Sequence, residues 1–476
     1  MTSTLCFTPA HELADLIQAR KLSPVELMEA CLARIEEVDG TLNAFTALRP
    51  EEAMAEARDV ADRLARGEPA GALAALPFGV KELEDVKGYP STHASVPYRD
   101  QVAERDSVQV ERLRAAGAIV LGKTNSSEFG YTAFTKNLLF GITRNPWNPD
   151  RTPGGSSGGS AAAIAAGMVP LATAADGGGS IRIPAGYTGC FGLRPSFGRV
   201  PRGPFEMLGW ADIAVYGPIT RTVRDAGLYM DVVVGAHPAD PDSLPHPGYS
   251  YRDVLDRWPT GLRIAWSPTL GYASVQPDVL REVRNAVNVF VEMGHGVDEV
   301  ERVFDDPAAA FRGVFAVEDY AYAHDRLSSD REDFGRGFVR HAESAAGLTP
   351  EKYGAAQRGR ARLIRDLWSL FDRYDLLLTP TLPTEAFGAA GKFPDDIDGR
   401  PVEDPLQMIP FTYPFNLSNH PAATVRAGFT DAGLPAALQI VGPRHREDLV
   451  LQAARAYEAA RPWNDRWPAG PSAATP

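Results

Sequence analysis

Residues 154–182 read GGSSGGSAAAIAAGMVPLATAADGGGSIR, two glycine-serine clusters joined by an alanine-rich run and a short apolar segment. Glycine loses more backbone freedom on folding than any other residue, so its concentration here marks places where bare backbone must come close to something. Backbone amides in such loops bind an anion or a developing oxyanion. The pair Ser156 and Ser157 and the later Ser180 lie at opposite ends of the alanine run and the segment after it. If that run is a helix and the segment a strand folded back on it, the hydroxyls meet as a nucleophile and a relay.

Outward from this block the chain alternates between helix and strand patterns. A helix is predicted over 108–116, closed by Gly117, then a strand over 118–121 running into Gly122-Lys123-Thr124-Asn125. A helix of small residues over 160–166 and a strand over 169–175 ending at Asp176 continue an α/β alternation. Upstream, 76–81 reads as a short buried strand ending on the charge of Lys81. Thr8-Pro9 and Ser23-Pro24 each set a capping hydroxyl before a proline, and Ser23 to Glu26 is a capping box, so two helices are predicted to open the chain within residues 1–70. Residues 236–250, AHPADPDSLPHPGYS, read equally as a linker or a surface crossing. Further helices are predicted over 278–293, 351–374 and 447–460, with strands over 376–378, 422–425 and 436–441. The aperiodic segment 384–408 is expected to be a mobile cover, with Phe387, Phe393, Ile397 and Leu406 sealing an apolar pocket. Residues 468–476 read as a frayed tail. The expectation is one domain over 1–476.

Composition narrows the function. A net charge of −13 argues against a nucleic-acid partner, whose binding is driven by displacing counterions with Lys and Arg. Cys6, Cys31 and Cys190 are too few and too scattered for a disulfide framework or a metal cluster, so reduced buried thiols and no metal are expected. The opening MTSTLCFTPAHE has no basic region followed by an apolar one, and no run of about 18 apolar residues occurs. No membrane association and a cytoplasmic location are the expectations.

A serine hydroxyl needs a base within reach and amide donors where the oxyanion forms. None of the nine histidines sits in a recognisable triad segment. Lys81 is the other candidate: either a lysine ion-paired beside Glu82 and Glu84, or a base kept neutral by burial. Gly155 to Gly159 also fits the GxSxG elbow of α/β-hydrolases and esterases, which would make Ser157 the nucleophile. An elbow serine follows a strand, however, and here Asn148 to Pro153 is a turn-forming run.

With these stretches in view the chain resembles the amidase signature family. The matching residues are Gly79-Val80-Lys81, Gly122 to Asn125, Thr143 to Trp147, Gly154 to Ser160, Asp176 to Pro184, Gly192 to Pro195, Gly198 to Val200, Gly217 to Asp225, Gly433 to Pro435 and Leu438 to Pro443. The resemblance implies an α/β/α fold with a mixed central sheet flanked by helices on both faces. It implies a triad with Ser180 as nucleophile, Ser156 as bridge and Lys81 as base, an oxyanion hole from the amides of Gly177, Gly178, Gly179 and Ser180, and a cis peptide before Ser156. It needs no cofactor. Ser157 is expected to support Lys81, and Asp176 and Arg182 to form an ion pair that tightens the loop.

Such chemistry hydrolyses amides, anilides and carbamates alike, so the pocket decides the substrate. Candidate lining segments are Tyr131 to Phe140, Phe311 to Val317 and Phe411 to Asn416, with Tyr131, Phe134, Phe140, Phe315, Phe415 and Asn416 as the candidate residues, and their aromatic and aliphatic side chains lean toward an apolar or aryl substrate. Ser126-Ser127 stand where the glutaminase subunit of the tRNA amidotransferase usually has Met-Asp, so a stand-alone monomer or homodimer is favoured over that assembly component.

Overall fold

The computed structural model describes residues 2–205 and 212–468, so the tail read at 468–476 lies, beyond Pro468, outside the described residues. Its frame is an eleven-stranded mixed sheet. Across the sheet the strands run Phe45–Leu48, Ile119–Thr124, Pro77–Lys81, Leu171–Asp176, Val215–Thr220, Phe191–Arg194, Ala422–Phe429, Pro435–Val441, Leu376–Pro380, Arg263–Trp266 and Gly296–Glu299. Parallel pairing occurs toward both ends: Pro77–Lys81 runs with both of its neighbours, and Arg263–Trp266 with both of its own, while the edge strand Phe45–Leu48 pairs antiparallel with Ile119–Thr124. The middle is antiparallel. Parallel strands are typically buried on both faces and read as continuous apolar runs. Pro77–Lys81 and Leu376–Pro380, buried at every residue, show this.

Most predicted elements are present. Ser23 closes the capping box of the helix Pro24–Leu42, its side chain accepting from Val25 N–H while Glu26 accepts from Ser23 N–H. The final helix Glu447–Ala460 lies where its periodicity put it. The start differs: four helices, Thr2–Phe7, Ala10–Gln18, Pro24–Leu42 and Pro50–Ala65, lie within residues 1–70 where two are predicted, and Pro9 rather than Thr8 stands at the cap of the second, with no side-chain cap. Residues 236–250 cross the surface and are pinned to it, Leu244 N–H donating to Gly198 O and Arg199 to Pro245 O. They join strands of the same sheet and are not a free linker.

Segment 384–408 is tied down more than its composition suggests. Thr152 N–H donates to Phe387 O, and Ala389 N–H to Asp150 O. Phe387 and Ile397 pack into a cluster with Ile183 and Tyr187, so only part of the segment is left to face a pocket.

Replacing Ser23 by Ala removes the side-chain acceptor at that cap and is expected to lower stability by about 1 kcal/mol. Urea unfolding checks this, and an unchanged midpoint would show that the box contributes nothing.

Candidate active site

Pro77–Lys81 delivers Lys81 to the centre of the site because the strand is hydrogen-bonded on both edges and its amide donates to Thr173 Oγ1 at 3.0 Å. The side chain is 1% exposed, and its Nζ lies 2.8 Å from Ser156 Oγ and 3.4 Å from Ala175 O. Burial pulls the ammonium down to about 7, against the opposing charges of Asp176 and Glu84. The ion-paired alternative for Lys81 is not what forms. Glu82 accepts from Thr46 and Thr92, and Glu84 from Ser107 and Gln109.

Ser156 lies just ahead of the helix Gly158–Ala165, and the Gly155–Ser156 peptide is cis. Ser157 is wholly buried and its hydroxyl donates to Ala175 O at 3.3 Å, the carbonyl that Lys81 also approaches. It meets the lysine through this shared acceptor.

Ser180 ends the glycine run after Leu171–Asp176. Three carbonyls of this loop are occupied: Asp176 O accepts from Asn416 Nδ2 at 2.9 Å, Gly178 O from Thr412 Oγ1 at 2.7 Å, and Gly179 O from Ile183 N at 2.7 Å. The amides of Gly178, Gly179 and Ser180 have no acceptor among the described residues. Carbonyl and amide of one peptide point in opposite directions, so tethering the carbonyls of Asp176, Gly178 and Gly179 turns the amides of Gly177, Gly179 and Ser180 the other way. Gly179 has φ +134°, and a Cβ there would lie 2.4 Å from Thr412 Oγ1, so only glycine fits.

The loop is anchored by a wholly buried ion pair. Arg182 Nε and Nη2 donate to the two oxygens of Asp176 at 3.0 and 2.9 Å. Its remaining donors go to Thr412 O, Gln439 Oε1 and Asn416 Oδ1. Burial would raise the Asp176 carboxyl, but Arg182, Arg194 and Asn416 outweigh it and hold the group at about 2.

Two cavities meet at Ser180. One, of about 570 Å³, is lined by Gly178, Ser180, Tyr131, Phe134, Phe311 and Phe315 among others. The second, of about 210 Å³, is lined by Lys81, Ser156, Gly177 and Ser180 together with Phe129 and Tyr216. Of the segment 384–408, Phe393 and Leu406 reach the larger cavity, and Asp404 pairs there with Arg312 from the helix Ala308–Ser329.

Three expected lining residues lie elsewhere. Phe140 sits in the turn after Asn137, held by its own backbone: its amide donates to Asn137 Oδ1 and its carbonyl accepts from Asn43. Phe415 is wholly buried in the main core against Phe304. Asn416 is spent on Asp176 and Arg182. Phe311, in an expected lining segment, does line the larger cavity, its ring 3.0 Å from where a Cβ on Gly178 would lie, whereas sequence assigns no tethering part to Thr412, which holds the Gly178 carbonyl. That tether depends on a contact with a residue more than two hundred positions away, and no local pattern announces it.

A family model described as Amidase matches residues 26–451. The chain belongs to the amidase signature family. It is 38% identical over 465 residues to an acylamidase of Rhodococcus erythropolis, covering 97% of each chain. It is 35% identical over 486 residues to a glutamyl-tRNA(Gln) amidotransferase subunit of Geobacillus thermodenitrificans, covering 96% of this chain and 98% of that one. A bacterial aryl acylamidase of the amidase signature family superposes with a TM-score of 0.91 at 33% identity, covering 96% and 97% of the two chains. The α/β fold with its mixed central sheet flanked by helices is the fold of these amidase signature enzymes. The protein is an amidohydrolase, and the reaction is cleavage of an amide carbon-nitrogen bond. No described helix is long and apolar enough to cross a membrane.

Arg182→Met leaves the Asp176 carboxylate buried without its counter-charge, and a loss of about 3–5 kcal/mol is expected. Denaturant unfolding measures it; a loss below about 1 kcal/mol would show that the pair does not anchor the loop.

Proposed function

We propose that Ser180 is the nucleophile and that Lys81 is its base acting through Ser156. The observation that carries this reading is the 2.8 Å contact between Lys81 Nζ and Ser156 Oγ in a site where burial favours the neutral amine. Neutral Lys81 takes a proton from Ser156, which takes one from Ser180 as that hydroxyl attacks the amide carbonyl. The amides of Gly177, Gly178, Gly179 and Ser180 receive the oxyanion. Lys81, now an ammonium, returns the proton through Ser156 to the departing nitrogen. Water repeats the relay in reverse and frees Ser180. Ser157 and the Asp176–Arg182 pair position this apparatus and do not exchange protons with substrate.

The substrate class we assign is an amide, anilide or carbamate with an aryl or other apolar substituent. The aromatic lining of the larger cavity, to which Tyr131, Phe134 and Phe315 contribute, supports this assignment. The glutaminase reading draws on the 35% identity to the amidotransferase component. Glutamine, with a charged amino acid end and a short side chain, would leave those aromatic faces unfilled. We read the protein as acting alone in the cytoplasm, as a monomer or homodimer, a reading supported by three free, buried cysteines. A hydrolysis panel of glutamine, aryl amides and aryl carbamates on the isolated chain separates the readings; preferential glutamine hydrolysis would overturn ours.

The pH dependence follows from the base. A buried lysine titrating near 7 is protonated and inactive below that pH and neutral above it, so kcat/KM is expected to climb through an apparent pKa near 7. Lys81→Ala should lose at least ~10²-fold in kcat and flatten this limb, as expected for removing a general base. A profile that keeps its acidic limb in Lys81→Ala would assign that titration to another group.

A further inference from the structure

The two cavities share Ser180 and Gly130, but only the smaller is lined by Lys81 and Ser156. This difference bears on which way round a substrate lies. In the reaction assigned above, on which this inference rests, the Ser180 Oγ–carbon bond forms and the carbon–nitrogen bond breaks. The nitrogen departs only with a proton, delivered from Ser156 and replenished from Lys81. The leaving nitrogen must therefore face the smaller cavity. The acyl substituent, on the opposite side of the carbonyl carbon, is directed into the larger one, whose apolar walls include Tyr131, Phe134, Ile183, Phe311, Phe315 and Leu406, with Arg340 and His341 also on its lining.

We infer that this amidohydrolase prefers amides in which the bulky aryl or arylalkyl group is on the acyl side and the amine is small. Anilides and benzylamides of short acids are disfavoured. The volumes, about 570 Å³ against about 210 Å³, point the same way. So does the aromatic character of the larger cavity. Phe311 and Phe315 stack at 4.9 Å and Phe134 lies edge-on to Phe393 at 6.1 Å, a cluster of rings that another ring can join by stacked or edge-on contact. The net reaction turns amide and water into carboxylic acid and amine; the water proton restores the Ser180 hydroxyl when the acyl-enzyme is cleaved.

Two constitutional isomers with the amide reversed test this: the N-methyl amide of phenylacetic acid and N-benzylacetamide. They have the same atoms and the same aryl group, so a difference in kcat/KM reports orientation. With the full chain, the phenylacetyl isomer is expected to be cleaved at least tenfold more efficiently. Ala133→Trp, which fills part of the larger cavity, should reduce that ratio at least fivefold. A ratio at or below one, a ratio unmoved by Ala133→Trp, or turnover of neither isomer would overturn the inference. Turnover that survives in Ser180→Ala would instead sink the assigned nucleophile, while the wild-type ratio would still report which cavity takes the ring.

Discussion

A lysine amine in the protein interior, set against a serine hydroxyl with no carboxylate ion-paired to it among the described residues, is the constraint on which this structure turns. An ammonium there lacks the water that would stabilise it, so the neutral amine is favoured, the form that the proposed role as base requires. That outcome needs the charged groups nearby to be occupied elsewhere. Glu82 and Glu84 are taken by hydroxyl and amide donors, and Asp176 is matched by Arg182. Had any of these carboxylates turned to Lys81, the ammonium would have been restored and the proposed relay lost.

The second demand is on the backbone. Leu171–Asp176 carries the chain to the site, and the proposed oxyanion hole requires the loop after it to present amides instead of carbonyls. Thr412, Ile183 and Asn416 do this by binding the carbonyls, and Arg182 ties Thr412 and Asn416 to Asp176 in one network. The ion pair thus shapes the loop at a distance from any proton transfer. Buried charge is costly when alone and tolerable when paired and fully hydrogen-bonded, which is the state of Arg182.

Much of this was legible in local sequence. The strand ending at Lys81, the Ser23 capping box, the helix Glu447–Ala460 and the glycine-serine block all follow from short-range pattern. What was missed is non-local. Ile119–Thr124 extends through Gly122, Lys123 and Thr124 because Phe45–Leu48 pairs along that portion, a partner no local period reveals. Phe415 and Asn416 share the segment 411–416 with Thr412, and aromatic content alone could not tell core from pocket. Asn416 turned out to be committed to Asp176 by chemistry fixed more than two hundred residues earlier. Phe387 and Ile397 likewise went to the core, while Phe393 and Leu406, a few positions away, reached the cavity.

The central claim is that the hydroxyl made reactive by this arrangement is Ser180. A small fluorophosphonate reacts with an activated serine and stays attached, and peptide mass spectrometry locates it. The account predicts a single adduct on Ser180, formed far more slowly when Lys81 is replaced by Ala. An adduct on Ser157, or labelling of Ser180 at an undiminished rate without Lys81, would contradict it.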